Sequence, residues 1–324
     1  MPTAPGWVAS AVHDSQVLVI VAPGQGAQTP GFLTKWLELD SFASRFELLS
    51  QASGVDLVAH GTISDQETIT DTSIAQPLLV ASAIAVGREL LGDLLPDMLA
   101  GHSVGEIGAA ALARVLDDTQ AMALVAARGT RMAEAAALTR TGMSAVVAGD
   151  PPDVLSAIEA TGCTAANNNG KGQIVAAGTL EQLEVLAANP PKRARVIPLK
   201  VAGAFHTVHM APAIPHLETV AASMTTAAPH TLLVSNRDGQ IVNNGAEYLA
   251  RLISQITSPV RWDQCMATMA AAGVSGILEL APAGTLTGIA KRNLPGVELF
   301  NLNTPDQLGD ARAFVTTHSS RESK

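Results

Sequence analysis

One short turn constrains this chain more than any other feature. Gly101-His102-Ser103-Val104-Gly105 lies between an apolar run, residues 98–102 (MLAGH), and a helix-forming stretch, residues 105–112. A G-x-S-x-G placed between strand and helix is the setting of a nucleophile elbow. The two glycines let strand and helix come close around a strained turn, which pushes the serine hydroxyl into the open. The helix N-terminus behind it favours negative charge as it develops. The pattern alone also arises by chance, or as a plain helix cap. The strand–turn–helix context is what points to Ser103 as an acyl-transfer nucleophile.

The rest of the chain supplies a fold for that turn. Residues 16–23 (QVLVIVAP) form an apolar, β-branched run ended by Pro-Gly, the pattern of a strand buried on both faces of a parallel sheet. Helices are expected at 32–39, 74–95, 105–112 and 118–138. The middle changes character: strand 142–149, helix 151–161, strand 163–167, strand 173–178, helix 180–188, strand 193–201. That β-α-β-β-α-β order is the ferredoxin-like split unit. Beyond it, strands at 231–235 and 276–280 alternate with helices at 207–228, 247–255, 262–272 and 282–291. The expectation is an α/β fold: a large α/β-hydrolase-like domain with a parallel sheet (residues 16–139 and 204–310) and a small inserted ferredoxin-like domain (140–203). Residues 1–15 are expected to be a flexible N-terminal tail, and residues 311–324 a polar C-terminal one.

Composition narrows the function classes. Of 324 residues, 47% are hydrophobic and 15% charged, enough apolar material for a sizeable core and against wholesale disorder. The formal net charge of −9 argues against nucleic acid, which needs a basic face. The two cysteines, Cys163 and Cys265, lack metal or disulfide spacing, and a reduced, cytoplasmic setting is expected. The N-terminus lacks a secretory pattern, and no stretch of about 20 uncharged apolar residues predicts a membrane span.

A nucleophilic serine needs a base. Of eight histidines, His102 adjoins Ser103, but neighbours around a tight turn point in different directions. His206 lies in Gly203-Ala204-Phe205-His206, where the inserted unit ends, and His209 is its nearby competitor. A lone histidine is more often structural, so spacing does not decide between them. Gly24-Gln25-Gly26-Ala27-Gln28 follows the first strand. Such a turn can cradle phosphate or aim a backbone N–H at an oxyanion, and the local pattern leaves both open. Arg128 and Arg131 fall on the helix after the elbow. A buried arginine there would hold a carboxylate, and an exposed one would be a solvated helix face.

Together these pieces resemble the malonyl-CoA:acyl carrier protein transacylases of fatty acid synthesis, and the related acyltransferase domains of polyketide synthases. The resemblance runs from about residue 17 to about residue 308. It rests on APGQGAQ (22–28), TSIAQPLL (72–79), GHSVGE (101–106), RG-x-x-M (128–132), GQIVAAG (172–178), GAFH (203–206), SNRDG (235–239), QITSPVRW (255–262) and GTLTGIAKR (284–292). Any one of these is weak; nine in order are specific.

The resemblance implies Ser103 as nucleophile and His206 as its base, oriented by a main-chain carbonyl near Gln255 with no acidic third member. Asn167, in the loop after a strand of the inserted unit, matches a position close to that histidine. The N–H groups of Gln25 and Val104 become the oxyanion hole, and Arg128 the grip on the substrate carboxylate. Met132 and Phe205 line the acyl pocket, where a Phe accompanies malonyl and a Ser methylmalonyl. The expected partners are malonyl-CoA and holo acyl carrier protein, with no cofactor or metal. The chain is expected to act as a monomer in the cytoplasm. A carrier protein of acidic surface would dock on Lys171, Lys192, Arg193, Arg195, Lys200, Lys291 and Arg292. The rival readings are a serine hydrolase or esterase, a non-catalytic carrier-protein binder, and a discrete acyltransferase of a polyketide pathway.

Overall fold

A computed structural model describes residues 16–92 and 94–320. Its ten strands are β1 (Val17–Ala22), β2 (Met98–Gly101), β3 (Thr141–Ala148), β4 (Thr164–Asn168), β5 (Gln173–Thr179), β6 (Ala194–Pro198), β7 (Leu232–Leu233), β8 (Val260–Arg261), β9 (Val274–Leu280) and β10 (Glu298–Leu302). The helices of the first half are α1 (Asp40–Ser53), α2 (Leu57–Thr62), α3 (Gln66–Thr70), α4 (Thr72–Leu91), α5 (Gly105–Leu112), α6 (Asp118–Leu138) and α7 (Pro151–Ala160). Then follow α8 (Leu180–Ala188), α9 (Ile214–Ala222), α10 (Gly245–Ser254), α11 (Trp262–Ala271), α12 (Thr285–Asn293) and α13 (Leu308–His318).

The larger sheet has the order β10-β9-β1-β2-β7, every pairing parallel. Its central strands alternate between two cores, as a period of two requires. Leu18 and Ile20 of β1, Leu99 of β2 and Leu278 of β9 face the α4–α6 side. Val19 and Val21, Met98 and Ala100, and Ile277 face the α11–α12 side. A strand buried on both faces must be apolar throughout, which is why β1 reads VLVIVA. α4 is long and apolar enough to cross a membrane, but 83% of its most apolar window is buried inside the protein. It is the core helix under the sheet.

The second sheet has the order β6-β3-β5-β4-β8. Residues 141–198 supply β3-α7-β4-β5-α8-β6 in sequence, antiparallel throughout. Its fifth strand was not foreseen: β8 comes from beyond residue 203 and pairs parallel with β4, Asn167 opposite Val260 and Asn168 opposite Arg261. The inserted unit is thus stitched to the rest of the chain along one edge.

Three expectations need correction. The helix expected at 207–228 is a 3-10 stretch at Val208–Ala213, interrupted by Pro212, which has no N–H to donate, followed by α9, which ends at Ala222. Residues 32–39 form turns and a single 3-10 turn at Trp36–Glu38, not a helix, because the Leu33 N–H turns away to the Gly61 carbonyl. Residues 311–320 are not a loose tail. α13 buries Leu308, Ala311, Val315 and His318, a helical spacing diluted by polar neighbours. Ser320 is held by Asp97, which also accepts the Leu18 N–H. The tail expected at residues 1–15 lies outside the described residues.

Candidate active site

The elbow at the end of β2 is as tight as its glycines suggested. A Cβ on Gly101 would lie 2.0 Å from the carbonyl carbon of Gly105, and one on Gly105 would lie 2.3 Å from the Ala22 carbonyl oxygen. Only glycine fits either place. Ser103 itself has φ of 53°, a left-handed conformation costly for a non-glycine residue. It is held there by Asn236: the Ser103 N–H donates to Asn236 Oδ1 at 2.7 Å, and Asn236 Nδ2 donates to the Gly101 carbonyl at 2.7 Å.

Ser103 Oγ lies 2.7 Å from His206 Nε2. His206 also has a left-handed backbone, φ 61°, so both partners of this contact sit in strained positions. His206 Nδ1 lies 2.8 Å from the Gln255 main-chain carbonyl, which can only accept. The proton therefore sits on Nδ1 and leaves Nε2 as the acceptor for the serine hydroxyl. Burial, then the nearby Arg128 charge, lowers the His206 pKa to about 3, so the ring is neutral at physiological pH.

Arg128 projects from α6 into the same buried region, 2% exposed. Nη1 donates to Gln76 Oε1 at 2.6 Å and Nη2 to Gln255 Oε1 at 3.0 Å. Burial lowers its pKa only to about 10, so it stays charged. Both contacts are to neutral amides. No carboxylate lies within ion-pair distance of this guanidinium among the described residues. Arg131, the other candidate on α6, is exposed and pairs with Glu134 at 2.7 Å.

The turn after β1 packs on the elbow. A Cβ on Gly24 would come 2.8 Å from the His102 carbonyl oxygen. Gln28 pins the turn, accepting the Gly26 N–H at 2.8 Å and donating to the Ile69 carbonyl at 3.0 Å. Among the described residues the N–H groups of Gln25 and Val104 make no intramolecular hydrogen bond. Both residues border the cleft in front of Ser103. Val104 is buried, where an N–H is seldom left unpaired without a reason, and Gln25 is half-buried at the cleft.

The chain matches the family model of the acyl transferase domain over residues 19–304. It is 47% identical to a malonyl CoA-acyl carrier protein transacylase of Mycobacterium tuberculosis, over 91% of this chain and 99% of that protein. A crystal structure described as MCAT from Mycobacterium tuberculosis superposes with a TM-score of 0.88 at 47% identity, again covering 91% and 99%. A malonyl-transacylase solved in complex with its type II PKS acyl-carrier protein matches with a TM-score of 0.86 at 29% identity, covering 92% and 99%. The chain belongs to the malonyl CoA-acyl carrier protein transacylase family. It is an acyltransferase.

Within this transacylase fold, the residues singled out in the sequence come together. Met132, Asn167 and Phe205 line the cleft with Ser103 and His206. Asn167 lies within β4 rather than in the loop after it, and its Oδ1 is buried without a hydrogen-bond partner. His209 is not among the cleft residues; its N–H bonds the Thr207 hydroxyl. His102 also borders the cleft, but its Nε2 lies 2.9 Å from Asn169 Oδ1 rather than at Ser103. No group of three His, Cys, Asp or Glu side chains is placed to hold a metal among the described residues.

Sequence reasoning gave no role to three residues that hold this transacylase site together: Gln76, Asn236 and Glu106. Glu106 is 1% exposed, one turn after Ser103 in an otherwise apolar helix. That lone carboxylate among GEIGAAAL was the available signal. Glu106 Oε1 accepts the Asn236 N–H at 2.6 Å and the Tyr248 hydroxyl at 3.3 Å, and Oε2 accepts from Gln255 Nε2. Burial pushes its pKa up to about 8, against the pull of Asn236, Gln255, Tyr248 and Arg128. The Asn236 N–H and the Gln255 NH2 donate one to each oxygen, and these bonds favour the ionised form against the burial that raises its pKa.

Proposed function

We propose that this enzyme moves malonyl from malonyl-CoA to the phosphopantetheine thiol of holo acyl carrier protein, through a malonyl ester on Ser103. The observation that carries this reading is the buried Arg128, charged and without a carboxylate partner, in the region behind the Ser103–His206 contact. Malonyl differs from acetyl by a carboxylate. Burying that charge unpaired would cost several kcal/mol, which a fixed guanidinium offsets. A neutral acyl group would leave the guanidinium without its ligand.

The reaction runs in two halves. Neutral His206 Nε2 takes the hydroxyl proton as Ser103 Oγ attacks the thioester carbonyl. The oxyanion rests on the N–H groups of Gln25 and Val104. The tetrahedral intermediate collapses, the C–S bond breaks, and His206 returns its proton to the leaving coenzyme A sulfur. The carrier's thiol then gives its proton to His206 and attacks the ester, and Ser103 leaves with the proton restored. No step calls for a cofactor. Phe205 and Met132 set the space for the acyl chain, and the bulk of Phe205 disfavours methylmalonyl.

Finer features belong to the same reading. The unit built from β3 to β6, with its strand order β6-β3-β5-β4, supports a ferredoxin-like insertion in an α/β-hydrolase-like domain. Lys171, Lys291 and Arg292 are exposed, and the Arg292 side chain lies beside Gly172. Together they offer a cationic rim suited to an acidic carrier. A cytoplasmic monomer serving fatty acid synthesis fits these features; the polyketide carrier complex of its relative keeps a polyketide role as the alternative.

The test is intact mass after mixing with malonyl-CoA, then with holo carrier protein. The expected result is a malonyl adduct that requires Ser103 and moves to the carrier. Release of free malonate without an adduct or transfer would overturn the reading in favour of a hydrolase.

A further inference from the structure

Arg128 does not hold its own position, and the group that sets it lies on the far side of Gln255. The Gln255 side chain touches both. Its Oε1 accepts from Arg128 Nη2 at 3.0 Å. Its Nε2 donates to Glu106 Oε2, and to the Ser103 carbonyl at 3.1 Å. An amide has one accepting end and one donating end, so its orientation depends on what faces each. Glu106 and the Ser103 carbonyl accept at one end; Arg128, which only donates, needs the oxygen at the other. From this geometry we infer that Glu106 is a positioning residue for substrate selection: it locks the Gln255 amide with its oxygen toward Arg128, and so fixes the guanidinium that receives the acyl carboxylate.

Two further observations make Glu106 the setting element. It is anchored independently of Gln255, by the Asn236 N–H at 2.6 Å and the Tyr248 hydroxyl, on elements outside the cleft. Tyr248 is fully buried, and Asn236 is 0% exposed. Glu106 thus has no freedom to follow Gln255, whereas Gln255 has an amide that can turn. The Gln255 main chain separately accepts from His206 Nδ1 at 2.8 Å, so base orientation and carboxylate selection pass through different atoms of one residue.

A Glu106→Gln exchange keeps shape and volume but puts an NH2 against one of two obligate donors. If it faces Gln255, the Gln255 amide either inverts and presents its NH2 to Arg128, donor against donor, or is pushed from its place against the Ser103 carbonyl. If it faces the Asn236 N–H, the anchor is lost instead. In both cases the guanidinium loses a fixed acceptor.

This inference rests on the malonyl-transfer reading, and the experiment separates the two. Acylation of Ser103 is followed by rapid mixing and intact mass, with malonyl-CoA and with acetyl-CoA, for the unaltered enzyme, Arg128→Ala, Glu106→Gln and Gln255→Met. The expected result is a fall of about tenfold or more in the malonyl-to-acetyl rate ratio for Glu106→Gln, carried by malonyl KM, toward the Arg128→Ala value. A ratio within about threefold of the unaltered enzyme, in a variant with native near-UV circular dichroism, overturns the inference. Should Glu106→Gln not fold, Gln255→Met decides. It leaves Glu106 and the His206-binding carbonyl in place and removes the link; the same fall is expected, and an unchanged ratio overturns the proposal. If the unaltered enzyme acquires no malonyl on Ser103, the functional reading fails with it.

Discussion

The two sheets of this molecule meet at one cleft but contribute to it in different ways. The parallel sheet delivers polar groups that are tied down. Ser103 at the end of β2 is held by Asn236, and Glu106 on the next helix is held by Asn236 and Tyr248. The small sheet delivers a wall. One of its faces packs Val146, Ile174 and Ala176 under α7 and α8. The alternate residues, Met143, Ala166, Val175 and Ala177, turn to the main core, and Met143 and Val175 border the cleft. Groups that break bonds are held by hydrogen bonds from distant elements, and the small sheet adds apolar side chains to a wall that also includes Phe205 and Met132. The difference fits a division of labour in which chemistry needs placement within a fraction of an ångström, while selection of an acyl chain needs mainly volume.

The largest expected effect lies on the rigid side. His206→Ala removes the proton acceptor 2.7 Å from Ser103 Oγ. A positioned general base contributes about 10²–10⁴-fold, so stopped-flow acylation by malonyl-CoA should slow by at least about 10²-fold, with the fold intact.

Next comes a paired test of rigidity itself. In Gly101→Ala the new Cβ meets backbone at 2.0 Å, with nothing able to move aside. A loss above about 4 kcal/mol is expected, the range of severe core damage. In Gly142→Ala, on β3, the new Cβ meets only Leu180 Cδ2 at 3.3 Å and Leu183 Cδ1 at 3.5 Å. Those are side-chain tips, and the change should stay within about 1 kcal/mol. Urea unfolding of both proteins measures the contrast; equal losses would abolish the distinction drawn between the two sheets.

A smaller effect is expected where the cleft judges size. Phe205→Ser opens space beside His206. A methyl group in an apolar pocket is worth about 1–3 kcal/mol, so the methylmalonyl-to-malonyl acylation ratio should rise by about tenfold. No rise would mean that the wall of the small sheet, not Phe205, sets the limit.

How much of this was legible beforehand follows the same line. Features that are local in sequence were readable. The elbow needed only Gly101, Ser103 and Gly105 between a strand and a helix, and β1 announced itself as an unbroken apolar run. Features made by distant pairs were not. β8 is two residues long and exists only because β4 lies alongside. Between His206 and His209, three positions apart, local sequence gave no choice; the carbonyl of Gln255, 49 residues on, decides which ring is oriented. Asn236 acts on a residue 133 positions away, and Gln255 meets Glu106 across 149. A lone glutamate in an apolar helix looks like a flaw until those partners arrive. α13 was missed for a different reason: its buried positions are spaced helically but outnumbered by polar neighbours.

The smallest expected effect is a flat line, and it bears on the buried side of the comparison. A solvent-exposed histidine base would lose activity as pH falls through about 6.5. His206 is buried beside a permanent positive charge, and both factors disfavour its protonated form, lowering its pKa to about 3. The sign is then fixed. The neutral ring is the active form, it is present at all pH values well above 3, and protonation removes it only below that. Between pH 5 and 8 the acid limb of kcat/KM for acylation by acetyl-CoA, which does not call on Arg128 or on Glu106 with its pKa of about 8, should therefore be absent, since that profile reports the free enzyme. A limb with a midpoint near 6.5 would mean that His206 is solvated in the working enzyme. The cleft would then open more widely than the tied-down polar network implies, and the contrast between a fixed side and a yielding side would have to be redrawn around a site that yields on both.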